Sequence, residues 1–215
     1  MDDARHCLLS ETCCNSACLA GGRRVLGISR KKKLEVGVTA QMNARLQPMH
    51  RGHFEDPLHD ALEQRGIGEV TGGGTQLADE PAGIAYCDIE IYLADDAQTT
   101  IDAVIGELNR LGAPKGSKLM LNGRQIPFGV HEGLAVFLNG MDLPDEIYKT
   151  SDVNHVIEEC ERLMAGGGKM LSFWEGSKDT GLYFYGPSFA QMKAAIAAFL
   201  ESYPLCQKCR VEQIA

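Results

Sequence analysis

Apolar and polar residues alternate along much of this chain, with a period of two in some stretches and helical spacing in others. From Leu34 to Leu46 every second residue is apolar, which predicts a strand with one buried face. Similar patterns predict strands over 69–78, 84–93 and 118–121. Three consecutive glycines, Gly72 to Gly74, interrupt the second of these strands, which is typical of a bulge or a close backbone approach.

Two helices are predicted between these strands. Asp56-Pro57 is typical of an N-cap followed by the first helical position, so we expect a short helix over 57–65. Apolar residues recur with helical spacing from Ile101 to Leu111, and Asp95 or Asp96 is the expected cap of this second helix. The first half of the chain therefore has the order β-α-β-β-α-β.

The same order recurs in the second half. The predicted strands cover 133–139, 170–174, 182–185 and 209–214. One predicted helix begins at Ser151 or Asp152, and the other begins at Ser188, which forms a capping box with Gln191. The repetition of the whole order indicates an internal duplication.

A positional comparison supports this duplication. At a constant offset of 96 residues, five identities fall within 21 ungapped positions, where roughly one is expected by chance. The pairs are Asn43/Asn139, Pro48/Pro144, Asp56/Asp152, His59/His155 and Glu63/Glu159. The order of elements resembles the ferredoxin-like superfold, which implies an α+β protein with helices on one face of each antiparallel sheet. We therefore expect two ferredoxin-like repeats, over 34–123 and 124–215.

Charge is distributed unevenly along the chain. Residues 1–33 carry seven Lys/Arg, four of them in the run Arg30-Lys31-Lys32-Lys33, and three Asp/Glu. They show no sustained periodicity, so we expect a disordered or weakly ordered extension. The remaining residues carry 14 Lys/Arg and 26 Asp/Glu. The excess of acidic residues over 34–215 repels phosphate backbones and favours a basic protein partner over nucleic acid.

The sequence also suggests where the protein resides. No run approaches the 18 or more apolar residues needed to span a bilayer, so we expect no membrane association. The N-terminus begins Met-Asp-Asp and lacks the apolar region of a secretory signal. We therefore expect a cytoplasmic protein whose eight cysteines are reduced.

The first strand–helix loop holds the densest group of polar residues. Its members are Arg45, His50, Arg51, His53, Glu55, Asp56, His59 and Asp60. Histidines beside carboxylates are typical of divalent metal sites, but the spacing matches no known metal signature. A solvated loop is the simpler interpretation, and a small-ligand or partner site is the alternative.

Two carboxylates are predicted on the outward face of a neighbouring strand. In the ferredoxin-like strand order the first and third strands are adjacent, which places Asp88 and Glu90 beside Asn43 and Arg45. Such a pair performs acid–base chemistry when one pKa is raised, although a solvated face with cross-strand charge pairs is the commoner arrangement.

Aromatic residues dominate the same face of the second repeat. Phe137, Trp174, Tyr183 and Tyr185 are predicted to point away from the helices, because Leu171 and Phe173 on one strand and Leu182 and Phe184 on the next point inward. Exposed apolar patches of this size usually mark contacts. We expect this face to pack against the first repeat or another subunit, with a partner or ligand surface as the alternative.

No cofactor or metal is predicted. Gly72 to Gly74 lack the spacing of a phosphate-binding loop, and Cys206-x2-Cys209 lacks the further ligands of a zinc site and the flanking elements of a redox motif. Our leading hypothesis is a non-enzymatic binding protein that neutralises or regulates a basic protein partner. The alternative is a ligand-binding or metal-dependent enzyme that uses His50, His53, Asp88 and Glu90. A third interpretation is a structural homo-oligomer joined through the aromatic face.

Overall fold

The computed structural model describes residues 36–79 and 83–215. Our predictions for the N-terminal extension, residues 1–33, lie outside these ranges. The first repeat contains β1 (Val36–Met42), α1 (Gly52–Arg65), β2 (Gly68–Leu77), β3 (Ile84–Leu93), α2 (Gln98–Arg110), β4 (Ser117–Leu121) and β5 (Arg124–Phe128). The second contains β6 (Glu132–Asn139), α3 (Asp145–Thr150), α4 (Val153–Met164), β7 (Lys169–Glu175), β8 (Asp179–Gly186), α5 (Phe189–Ser202) and β9 (Arg210–Gln213).

The described residues form two antiparallel sheets. The strand orders are β2-β3-β1-β4-β5 and β7-β8-β6-β9. In each sheet the first and third strands of the repeat lie side by side, flanked by the fourth and second, which is the ferredoxin-like order. The predicted fold class, an α+β protein built from two ferredoxin-like units, is confirmed.

Alternation along the strands creates the core of each repeat. On β3, Cys87, Ile89 and Ile91 are buried on the side of the helices, whereas Asp88 and Glu90 point to the other face. Full burial of one large aliphatic side chain contributes about 1.5–3 kcal/mol, so this face holds the helices on the sheet. The predicted cap of α5 is confirmed, since the Ser188 hydroxyl accepts a hydrogen bond from Gln191 N at 3.3 Å.

Helix α1 begins earlier than the sequence predicted. Asp56 is not its N-cap, and Pro57 lies inside the helix, which starts at Gly52. Phe54, Leu58 and Leu62 are buried at four-residue spacing, so burial of the aromatic ring in the preceding turn extends the helix. The free energy gained by burying the Phe54 ring outweighs the loss of the backbone hydrogen bond that Pro57 cannot donate.

The boundary between the repeats also differs from the prediction. Residues 124–128, which we assigned to the second repeat, form β5 and pair with β4 at the edge of the first sheet. Asn122 and Gly123 connect the two strands with φ angles of 49° and 76°. Asn-Gly is a typical two-residue hairpin turn because both of its residues tolerate positive φ.

An offset of 96 residues aligns equivalent positions in the strands of the two repeats but not in their helices. Buried Val38, Ala40 and Met42 of β1 correspond at this offset to buried Leu134, Val136 and Leu138 of β6. In the helices it pairs half-buried His59 with exposed His155. The buried residues Phe54, Leu58 and Leu62 instead match Val156, Cys160 and Met164, six positions further on. Helix α3 lies between β6 and α4, so the helix identities do not mark equivalent positions.

The described helices do not reach the length and apolar character needed to cross a membrane. Their longest members have 14 residues and carry charged side chains on their outer faces.

The glycine run in β2 gives the first prediction. A Cβ at Gly73 would lie 2.6 Å from Glu55 Oε1 and would also meet the backbone oxygen of Asp88, whereas a Cβ at Gly74 would meet nothing within 4 Å. We expect Gly73→Ala to lower the free energy of unfolding by about 1–3 kcal/mol through overpacking. The matched control, Gly74→Ala, should change it by less than about 1 kcal/mol. Urea denaturation of both variants measures the difference, and equal losses would contradict it.

Candidate functional site

The two repeats meet where the chain leaves β1. The backbone N–H groups of Arg45 and Gln47 have no strand partner there. Side-chain hydroxyls of the second repeat accept the hydrogen bonds that these two groups donate. Arg45 N donates to the Tyr185 hydroxyl at 2.7 Å, and Gln47 N donates to the Ser172 hydroxyl at 3.1 Å. The Gln47 side-chain amide also donates to the Phe173 carbonyl at 2.7 Å. We call this set of contacts the repeat interface.

The aromatic face of the second sheet is covered by the first repeat. Phe137, Tyr183 and Tyr185 are buried and share one core cluster with residues of β1, β3, α1 and α2. The Arg45 guanidinium lies 5.6 Å from the centre of the Tyr183 ring, within the range of a cation–π interaction. Of the alternatives we considered for this face, packing against the first repeat is the one observed. These three side chains are therefore not available to a partner.

Trp174 lies on the predicted face, although part of the reasoning that placed it there was wrong. It is half-buried against the cluster of the first repeat, while Phe173 packs with the core of the second. Leu171, which we predicted to point toward the helices, packs against the same cluster as Trp174 instead. The register of β7 on β8 shifts between Met170 and Ser172, so a bulge reverses the alternation at this point.

Asn43 and Arg51 have structural partners within the first repeat. The Asn43 amide donates to the Lys115 carbonyl at 2.8 Å and ties the end of β1 to the loop before β4. The Arg51 guanidinium binds Glu55 at 2.8 Å and also donates to Thr75 Oγ1 at 3.0 Å, which joins α1 to β2. The Arg51 side chain is only 14% exposed, so it does not extend toward open solvent as an anion clamp would.

His50 and His53 line a cleft between the repeats. It has a volume of about 250 Å³, and we call it the inter-repeat cleft. Its walls include His50 and His53 from the first repeat and Glu161, Leu171, Ser172 and Phe173 from the second. The residues of the second repeat lie more than 100 positions away in the sequence, so no local pattern predicted their contribution.

The contacts of Ser172 determine the tautomer of His50. Ser172 is 1% exposed, and its oxygen accepts the N–H of Gln47. His50 Nδ1 lies 2.9 Å from the same oxygen. Because a buried hydroxyl hydrogen needs an acceptor, we assign the serine as donor to Nδ1. His50 then carries its proton on Nε2.

This pair does not have the arrangement of a catalytic serine and histidine. The serine is buried and already holds a backbone N–H, and no described residue is hydrogen-bonded to Nε2 to orient the ring. The Phe173 ring, whose centre lies 5.7 Å from that of His50, restricts it by packing. Ser172 and His50 therefore connect the repeats.

His53 lies at the exposed rim of the cleft with a lowered pKa. Partial desolvation is the main cause, and electrostatic interactions with Lys169 and His50 contribute less. A histidine whose pKa lies below 6.5 is mostly neutral at pH 7 and can accept or donate a hydrogen bond. The lowered pKa therefore reflects mainly the partial burial of the ring, with the positive charge of Lys169 as a smaller contribution.

Asp88 and Glu90 are separated from the two histidines. They lie on the face of β3 opposite the helices, and neither lines the inter-repeat cleft. The enzyme alternative, which combined all four side chains in one site, is therefore not supported by their placement. Within 36–79 and 83–215, no group of three or more His, Cys, Asp or Glu side chains could hold a metal ion.

Three cysteines of the second repeat come close together, which the sequence did not predict. Burial raises the pKa of Cys160 and of Cys206 to about 12, and Cys209 also influences both thiols. Cys206 and Cys209 border an open cavity of about 390 Å³. With raised pKa values these thiols stay protonated at neutral pH, which makes them weak nucleophiles.

No protein-family model and no curated protein matches this chain. Similar solved structures include the regulatory subunit of aspartate kinase from Thermus flavus, with 16% identity, a TM-score of 0.26, and 78% of this chain and 94% of that chain covered. A mutant chlorite dismutase from Candidatus Nitrospira defluvii has 15% identity, a TM-score of 0.28, and coverage of 85% and 93%. The first two RRM domains of yeast poly(U) binding protein have 10% identity, a TM-score of 0.21, and coverage of 83% and 99%. Identities and TM-scores this low carry no argument about function. The strand order of the chain itself defines a protein of two ferredoxin-like repeats.

The two buried tyrosines of the repeat interface give the second prediction. Tyr185→Phe removes the acceptor of Arg45 N, so we expect the free energy of unfolding to fall by about 1–3 kcal/mol. Tyr183→Phe is the matched control, because the Tyr183 hydroxyl is buried without a hydrogen-bond partner. Its removal should be neutral or stabilising by up to about 1 kcal/mol. Denaturant unfolding measures both variants, and a larger loss from Tyr183→Phe would refute the assignment.

Proposed function

We propose that this protein is a non-enzymatic binding protein whose first sheet receives a basic segment of a protein partner. The observation that carries the proposal is the face of that sheet that no helix within 36–79 and 83–215 covers, which we call the open face. Its side chains on β1 and β3 include Thr39, Gln41, Asp88, Glu90 and Tyr92, and none of them is buried.

The open face presents two carboxylates with free space beside them. Asp88 lies opposite Gly74 of β2, and Glu90 lies opposite Gly72. A Cβ at Gly74 would have no neighbour within 4 Å, and one at Gly72 would meet only Glu90 Oε2, at 3.9 Å. The missing side chains leave space at this part of the sheet, where Glu90 is exposed and Asp88 is half-buried.

The surroundings of Asp88 disfavour its charged form. Its Oδ1 is buried and has no hydrogen-bond partner among the described residues. Desolvation raises the pKa of this carboxyl, a side-chain hydrogen bond from Gln41 opposes that effect, and the charge of Glu90 raises the pKa further. A basic side chain would stabilise the ionised form of both carboxylates at once.

The surroundings of the two carboxylates suit a flexible basic side chain. Tyr92 is 48% exposed and follows Glu90 on the same face, so its ring is available for cation–π contact. A shallow cavity of about 170 Å³ beside Glu90 is lined by Gly37, Thr39 and Tyr92. The surplus of Asp/Glu over Lys/Arg beyond residue 33 would also steer a basic partner toward this protein.

The test is binding of a synthetic lysine- and arginine-rich peptide to the full chain, measured by isothermal titration calorimetry at two salt concentrations. We expect the double variant Asp88→Asn/Glu90→Gln to weaken binding about fivefold, since each exposed ion pair contributes up to about 1 kcal/mol. The wild-type affinity should fall with salt because the contacts are exposed charges.

The matched control removes two exposed carboxylates from helices. Asp60→Asn/Glu158→Gln changes the net charge equally and leaves the open face intact. If both double variants lose the same affinity, the attraction is general and the open face is not the site.

A further variant neutralises the run from Arg30 to Lys33. If this basic segment of the chain competes with the peptide for the open face, peptide binding should become stronger in the variant.

A further inference from the structure

We propose that the inter-repeat cleft binds a small dipolar molecule, with a carboxylate and an ammonium group on an apolar body. The proposal is independent of the open face. It concerns the cavity between His50 and His53 on one side and helix α4 with strand β7 on the other. Small-molecule sites commonly form where two structural units meet, with a mainly apolar lining and few polar groups.

The lining of the cleft has an apolar part of limited size. Ile157, Met170, Leu171 and Phe173 contribute to its walls. Its volume of about 250 Å³ lies below the range of about 300–1,000 Å³ typical of sites for drug-sized ligands. The cleft therefore suits a compact aliphatic or monocyclic body.

One rim of the cleft favours a carboxylate. His50 presents its Nε2 proton, because its Nδ1 accepts the Ser172 hydroxyl. His53 lies beside it, and Lys169 is close enough to influence His53 electrostatically. The two imidazoles that line the cleft are suitable donors for the two oxygens of a carboxylate, and the positive charge of nearby Lys169 adds attraction for an anion.

Helix α4 contributes the opposite charge. Glu161 lines the cleft, and its Oε1 accepts a hydrogen bond from Met170 N at 3.0 Å, which fixes the carboxylate in place. Glu161 forms no ion pair with any described residue, so its charge is uncompensated. A simple anion would be repelled by Glu161, whereas an ammonium group would bind it. Only a ligand with both charges satisfies both parts of the cleft.

The cleft is held in shape before any ligand arrives. His50 is restrained by Ser172 and by the Phe173 ring. Gln47 holds Ser172 through its backbone N–H, and its side-chain amide donates to the Phe173 carbonyl. A ligand therefore needs to order few side chains on binding, which favours measurable affinity for a small molecule.

The test uses leucine and two analogues that each lack one charge. Isothermal titration calorimetry on the full chain should show binding of leucine. Isopentylamine lacks the carboxylate and 4-methylpentanoate lacks the ammonium group, so each should bind at least about tenfold more weakly, the loss expected for a removed charged hydrogen bond. Emission of Trp174, which follows Phe173 in β7, provides a second readout.

Variants assign each charge to its partner. Glu161→Gln keeps the acceptor for Met170 N but removes the charge, so it should weaken leucine and leave 4-methylpentanoate unchanged or tighter. His53→Gln should weaken both leucine and 4-methylpentanoate. The matched control is His155→Gln, because His155 packs beside Phe199 and Tyr203 and does not line the cleft.

Three results would overturn the proposal. The first is 4-methylpentanoate or isopentylamine binding as tightly as leucine, which would remove the need for both charges. The second is His155→Gln weakening leucine as much as the cleft variants do. The third is the absence of binding by leucine, methionine and phenylalanine at about 10 mM, a concentration that would nearly saturate a site with a Kd of about 1 mM.

Discussion

The fold of the second repeat depends on the covering of its aromatic sheet face by the first. That face carries Phe137, Tyr183 and Tyr185, which would expose a large apolar surface if the repeats separated. The chain after β1 provides the cover, and its backbone N–H groups at Arg45 and Gln47 require acceptors once the strand has ended. Aromatic burial and backbone hydrogen bonding therefore reinforce each other at the repeat interface, and the inter-repeat cleft lies beside it.

This arrangement divides the surfaces of the protein between structure and function. Two ferredoxin-like sheets each have one face without helices, but only the open face of the first sheet remains uncovered by described residues. Its side chains are polar and partly acidic, so it is stable in water without a cover, whereas the aromatic face is not. This difference in polarity is the reason that we propose a partner site on the first sheet. The corresponding face of the second sheet packs against the first repeat.

The same junction creates the inter-repeat cleft. His50 and His53 follow directly from the segment that anchors the repeats, and Ser172 and Phe173 belong to the strand against which this segment packs. A cavity formed in this way is lined by residues of both repeats. It has no counterpart within either repeat alone, so the packing of the two repeats creates it.

The sequence by itself determined the element order, its repetition in the second half and the faces of most strands, because two-residue and helical periodicities report local burial directly. It also determined the contrast between a polar sheet face at Asp88 and Glu90 and an aromatic one at Tyr183 and Tyr185. It misplaced the start of α1, the last strand of the first repeat and the orientation of Leu171, where Phe54 burial, an Asn-Gly turn and a β-bulge override simple alternation. Only the tertiary structure decided which sheet face is covered and that His50 meets Ser172. These contacts join residues more than 100 positions apart, and their energy depends on how the two repeats pack, which no local pattern encodes.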